Sequence, residues 1–143
     1  MPFRVGPCAF AALAALAACG CSDHGVGPCE PVSGTVTLDG QPLRGVVGTV
    51  DFVPDRSKGN NSPFTAHGTV DGEGRYVLST RGKIGAPPGW YKVVVSATPP
   101  GADRDSAKLV VHSRFAAEAT TPLRCEVVAN APAGAYDLKL TRK

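Results

Sequence analysis

From Val32 almost to the C-terminus, apolar side chains recur at every second position, in runs too short for helices and divided by Gly- and Pro-rich breaks. Period two puts alternate residues on one face of an extended chain, so each run reads as a half-buried strand. Val32, Gly34, Val36 and Leu38 make the first inward set, closed by Asp39-Gly40 and followed by Gln41-Pro42-Leu43. Val46, Gly48, Val50 and Phe52 make the second, ended by Pro54 and the polar stretch 55–63. Phe64, Ala66, Gly68 and Val70 lead into the turn Asp71-Gly72-Glu73-Gly74, and Tyr76, Leu78 and Thr80 lead out of it. After Gly85-Ala86-Pro87-Pro88-Gly89 come Tyr91, Val93, Val95 and Ala97, and Pro99-Pro100-Gly101 opens a polar connection to Ser113. Leu123, Cys125 and Val127 share a sixth face, and Tyr136, Leu138 and Leu140 a seventh. The segment 114–120 has room for a single helical turn before Pro122. With 17 glycines and 13 prolines in 143 residues, turn-formers are dense enough to end each run. The expectation is an all-β, seven-stranded antiparallel sandwich over residues 32–143, with no second domain and no internal repeat.

The N-terminal segment is of a different kind. Arg4 precedes a run from Phe10 to Ala18 built only of Ala, Leu and Phe. A charged start and an apolar stretch shorter than the about 20 residues a spanning helix needs have the layout of a secretory signal peptide. Leu16-Ala17-Ala18-Cys19 resembles the lipobox of bacterial lipoproteins. That resemblance implies cleavage after Ala18 and transfer of a diacylglyceryl group to the Cys19 thiol, with fatty acyl (palmitate) chains holding the protein in the membrane. Cys21 lacks a leucine three residues upstream, and Cys8 lies too early. Gly20 rather than Asp after the cysteine implies, by the same likeness, the outer over the inner membrane of the cell envelope. Residues 1–18 are thus expected to be a signal peptide, and residues 19–31, small, polar and rich in Gly and Pro, a flexible tether.

Within the body, Val32-Ser33-Gly34-Thr35-Val36, Asp39-Gly40-Gln41-Pro42-Leu43 and Val50-Asp51-Phe52-Val53-Pro54 resemble the opening of carboxypeptidase regulatory-like domains. Thr69-Val70-Asp71-Gly72-Glu73-Gly74-Arg75-Tyr76 is similar to that family's central turn, and Gly85-Ala86-Pro87-Pro88-Gly89-Trp90-Tyr91 to its strand entry. The resemblance implies a transthyretin-like (prealbumin-like) seven-stranded sandwich on a small surface lipoprotein. It specifies a fold far better than an activity.

Chemistry is sparse. A formal charge of +3 is too small and too scattered for a nucleic-acid footprint. His67 alternates outward with Thr65 and Thr69, His24 lies in the expected tether and His112 ends a polar loop, so no catalytic triad is expected. Transthyretin-like hydroxyisourate hydrolases end in Tyr-Arg-Gly-Ser, whereas this chain ends Leu140-Thr141-Arg142-Lys143. Asp71 and Glu73 offer two carboxylates where a hard cation wants six or more oxygens, so neither a metal nor a cofactor is expected. An exported location permits disulfides, and Cys29, just before the first strand, is a possible partner of Cys125 on the sixth. The alternatives are a Cys29–Cys21 pair and no bridge at all. The function expected is a non-enzymatic, lipid-anchored interaction or structural module meeting an envelope protein or polysaccharide. The alternative is a carbohydrate-binding module using Trp90, with Phe115 as a second exposed aromatic. Tyr76, Tyr91 and Tyr136 fit the inward pattern and are expected in the core.

Overall fold

The alternating runs fold into strands in a computed structural model that describes residues 25–103 and 108–142. The ten strands are β1 (Ser33–Leu38), β2 (Gln41–Pro42), β3 (Val47–Pro54), β4 (Ala66–Val70), β5 (Arg75–Val77), β6 (Ser79–Thr80), β7 (Lys83–Ile84), β8 (Gly89–Thr98), β9 (Arg124–Val127) and β10 (Leu138–Leu140). Among the described residues there is no α-helix, only 3-10 turns at Arg56–Lys58 and Ser113–Ala116. The chain is all-β, as its periodicity predicts.

Seven strands form one continuous sheet in the order β10-β1-β5-β4-β3-β8-β9, matching the seven runs read from sequence. The short strands β2, β6 and β7 branch from it, β2 on β1 and the β6–β7 hairpin on β4. The sheet curls so that its inner face closes on a single apolar cluster. Val36, Val50, Phe52, Tyr76, Tyr91, Val93, Val127 and Leu140 meet there from six different strands. Phe52 sits between the two tyrosines, its ring centroid 6.4 Å from Tyr76 and 5.7 Å from Tyr91. Tilted aromatic pairs at such separations add to the stabilisation from burial alone. Tyr76, Tyr91 and Tyr136 are all buried, as expected.

Four findings revise the sequence reading. The sheet is not wholly antiparallel, because β10 runs parallel to β1, with Val36 opposite Leu138 and Leu38 opposite Leu140. Residues 128–137 cross from β9 at one end of the sheet to the free side of β1 at the other, and that path returns β10 in the same direction as β1. The run Tyr76–Thr80 is split at Leu78, whose N–H donates to the Val32 carbonyl while its own carbonyl accepts from Gly85 N–H. Phe115 is core, not surface: the 3-10 turn after His112 rolls it inward beside buried Val111. Lastly, the segment 25–31 lies on the body instead of hanging free of it. Val26 is only 2% exposed, and Glu30 forms a two-bond bridge with Ala86. Gly85 makes that bridge possible, since its φ is +95° and a side chain there would overlap the Glu30 carbonyl.

Candidate functional site

An open groove of about 930 Å³ lies above the start of β1 and β5, walled by the 128–137 crossover. Its floor is set by register: Ser33 faces Val77, Gly34 faces Tyr76 and Thr35 faces Arg75. The wall is held on by groups far apart in sequence. Asp137 Oδ1 accepts from Thr35 N–H at 2.9 Å, and the Tyr76 hydroxyl donates to the Tyr136 carbonyl at 2.5 Å. At the other end of the crossover, the Tyr136 hydroxyl accepts from Val128 N–H at 3.2 Å. Gly34 permits this close approach, because a Cβ there would overlap the Tyr136 carbonyl oxygen.

The rim mixes apolar and polar groups. Val77 is 59% and Val128 40% exposed, two of only four large apolar side chains so open among the described residues. Asp71 Oδ1 accepts from the N–H groups of Glu73 and Arg75, and Asp71 Oδ2 pairs with Arg75 Nε at 3.2 Å. Those backbone bonds hold the Asp71 carboxyl below the usual carboxylate range. Burial pushes the Tyr76 hydroxyl well above the usual phenol range. Near neutrality, then, Asp71 stays ionised and Tyr76 stays protonated. The Asp71–Gly74 turn spends its carboxylates on its own geometry, with Glu73 reaching Arg44.

Trp90 stands on the opposite, outward face of β8, paired in register with Glu126. Its indole is half-buried, and one ring face is covered by the Lys58 ammonium, 3.7 Å from the centroid. Its carbonyl accepts from Asn60 Nδ2 and from Asp55 N–H, both at 2.9 Å. Asp55, 1% exposed, caps the 3-10 turn through Ser57 and meets Arg124 Nε at 3.2 Å. Its carboxyl is held low, first by the Ser57 hydroxyl. Loop 55–63 is thereby fastened onto Trp90 rather than left open around it.

Cys29 and Cys125 are not bridged to one another. Cys29 directs its sulfur to the Gly27 carbonyl at 3.7 Å, within the segment bound to Ala86. Cys125, opposite Tyr91, packs against the core, and burial raises its thiol to about 11. His67 is outward, as expected, and its Nδ1 bonds Asp51 Oδ1 across the strand pair. Ser79 lies opposite His67 in register, but among the described residues no hydrogen bond joins the two. The lipidation expectation at Cys19, with Cys21, His24 and the signal peptide, lies outside the described residues. The Tyr91 hydroxyl donates to Pro87 O at 2.7 Å, stiffening the strand entry read from sequence.

Sequence reading missed the groove. Its defining contacts join residues about a hundred positions apart, as in Thr35–Asp137, and the only local signal was the small residue Gly34 within a strand. Scanned against protein-family models, the chain matches none, and searches of curated proteins and of solved structures return no match.

Proposed function

We propose that this protein is an exported, lipid-anchored, non-enzymatic display module of the cell envelope. In this reading its body is a transthyretin-like sandwich of the carboxypeptidase regulatory-like kind, attached through Cys19. The observation that carries it is the short distance between lipobox and body. Leu16-Ala17-Ala18-Cys19 stands six residues before Gly25, and by Val26 the chain is already packed on the sheet. Six extended residues reach about 20 Å, so an acylated Cys19 would hold the body close to its membrane. Two or more acyl chains make such an anchor stable where one is marginal. The groove over β1 and β5 is the surface we assign to partner contact. It joins exposed Val77 and Val128 to a polar rim, the mixture that protein partners use.

Mass spectrometry of protein purified from the membrane fraction tests the anchor. The expected mature N-terminus is Cys19 carrying diacylglyceryl and acyl groups, with Cys19→Ser abolishing both cleavage and incorporation of an alkynyl palmitate analogue. An unmodified Cys19, or a mature terminus elsewhere, would defeat the reading.

A further inference from the structure

We infer that the β6–β7 hairpin, Ser79 to Ile84, is a second membrane contact that docks on anionic lipid headgroups and fixes how the body faces the bilayer. The inference rests on the lipid-anchor reading and adds to it a surface, an orientation and a lipid preference. Ile84 is the most exposed large apolar side chain among the described residues, at 69%. Two exposed basic residues precede it in the hairpin, Arg81 in the two-residue turn, 5.2 Å from the Phe64 ring centroid, and Lys83 next to it in β7. Arg81 takes a left-handed φ of +49° and Gly82 one of +85°, a tight turn between buried Thr80 and exposed Lys83. An exposed aliphatic beside cationic side chains suits an interfacial site: the apolar group enters the headgroup boundary while the basic groups are drawn to an anionic surface.

The path of the chain puts this hairpin near the lipid. The Lys83 ammonium donates to the Gly27 carbonyl at 3.0 Å, so residues 25–27 leave the body beside the hairpin. The Glu30–Ala86 bridge and buried Val26 take up the slack that a free tether would have. With Cys19 only six residues from Gly25, the hairpin is held within reach of the headgroups whenever the anchor is inserted. Among the described residues of the segment 25–31 the one carboxylate, Glu30, is half-buried.

The test uses the full lipidated protein reconstituted into vesicles of zwitterionic lipid with or without phosphatidylglycerol, in a Trp90→Phe background that removes the sole native tryptophan. An indole is introduced by Ile84→Trp or, as the control, by Val47→Trp, which is also exposed but lies at the far end of β3. Bromine-labelled acyl chains are expected to quench the Ile84→Trp indole strongly and the Val47→Trp indole little. Adding Arg81→Gln and Lys83→Gln should weaken the quenching of the Ile84→Trp indole and abolish its gain from phosphatidylglycerol. Equal quenching at the two positions, with the lipid confirmed on Cys19 by mass, overturns hairpin docking and leaves the anchor standing. A blue-shifted, concentration-dependent Ile84→Trp emission that bromolipid does not quench assigns the tip to a second copy of the chain, and also overturns it. An unmodified Cys19 overturns both readings.

Discussion

Gly34 shows how much rests on one missing methyl. It lies between Tyr76, its partner across the β1–β5 pair, and the Tyr136 carbonyl, and no atom fits in that gap. Gly34→Ala should lower unfolding stability by about 1–3 kcal/mol, the range for overpacking. Gly27→Ala, with open space around its Cβ position, should be near neutral in the same denaturant titration. Tyr76→Phe removes the bond to that carbonyl and leaves a buried acceptor unpaired, at a cost of about 1–3 kcal/mol. The titrating groups of the core add a pH signature. Tyr76, Tyr91 and Cys125 are all raised, chiefly by burial, so the native state holds protons that the unfolded chain releases earlier. Stability from these groups is complete below pH 8 and is lost as pH climbs through the ordinary thiol and phenol range toward 11. Thermal melts between pH 8 and 11 should show a falling midpoint. Alkylation of Cys125, followed peptide by peptide, should be much slower in native than in urea-unfolded protein.

Among the elements, the most consequential are the two that complete the sheet from outside its local hairpins. Strand β10 buries Leu138 and Leu140 against β1, and each such side chain contributes about 1.5–3 kcal/mol as an upper estimate. A chain stopped after Asp137 should therefore lose cooperative unfolding by near-UV circular dichroism. At the other end, Arg124 of β9 reaches the buried Asp55 carboxylate. Arg124→Ala leaves that charge without its cationic neighbour and should lower the melting midpoint. Because the Asp55 carboxyl is depressed in the folded state, its contribution exists above the ordinary aspartate range and disappears as pH falls below it. Wild type should thus lose stability on acidification, and Asp55→Asn should flatten that loss. Strand positions were legible in the sequence because alternation is local: Val50-Asp51-Phe52 or Tyr91-Lys92-Val93 carries its own inside and outside. The parallel pairing of β10 was not, because strand direction depends on the route of residues 128–137 and leaves no mark on the period.

For the whole molecule, the question is where the body begins. The segment 25–31 reads as a tether from its glycines and prolines, yet Val26 and Glu30 place it on the sheet. A chain starting at Gly25 should melt as one starting at Cys19 does, whereas one starting at Val32 should lose about 2 kcal/mol or more from Val26 burial and the Ala86 bridge. Attachment this tight fixes where the segment leaves the sheet.

The sequence by itself determined the all-β class, the inward identity of the three tyrosines, the outward identity of His67 and the turns between strands. Each of these is written within a few neighbouring residues, in a period, a turn dipeptide or a short motif. Only the tertiary structure decided that β10 runs parallel, that Phe115 belongs to the core, that Lys58 covers Trp90, and that a groove opens between Thr35 and Asp137. Those outcomes depend on which distant surfaces meet when the sheet curls, and curling satisfies the packing of all seven principal strands at once, which no single run can specify.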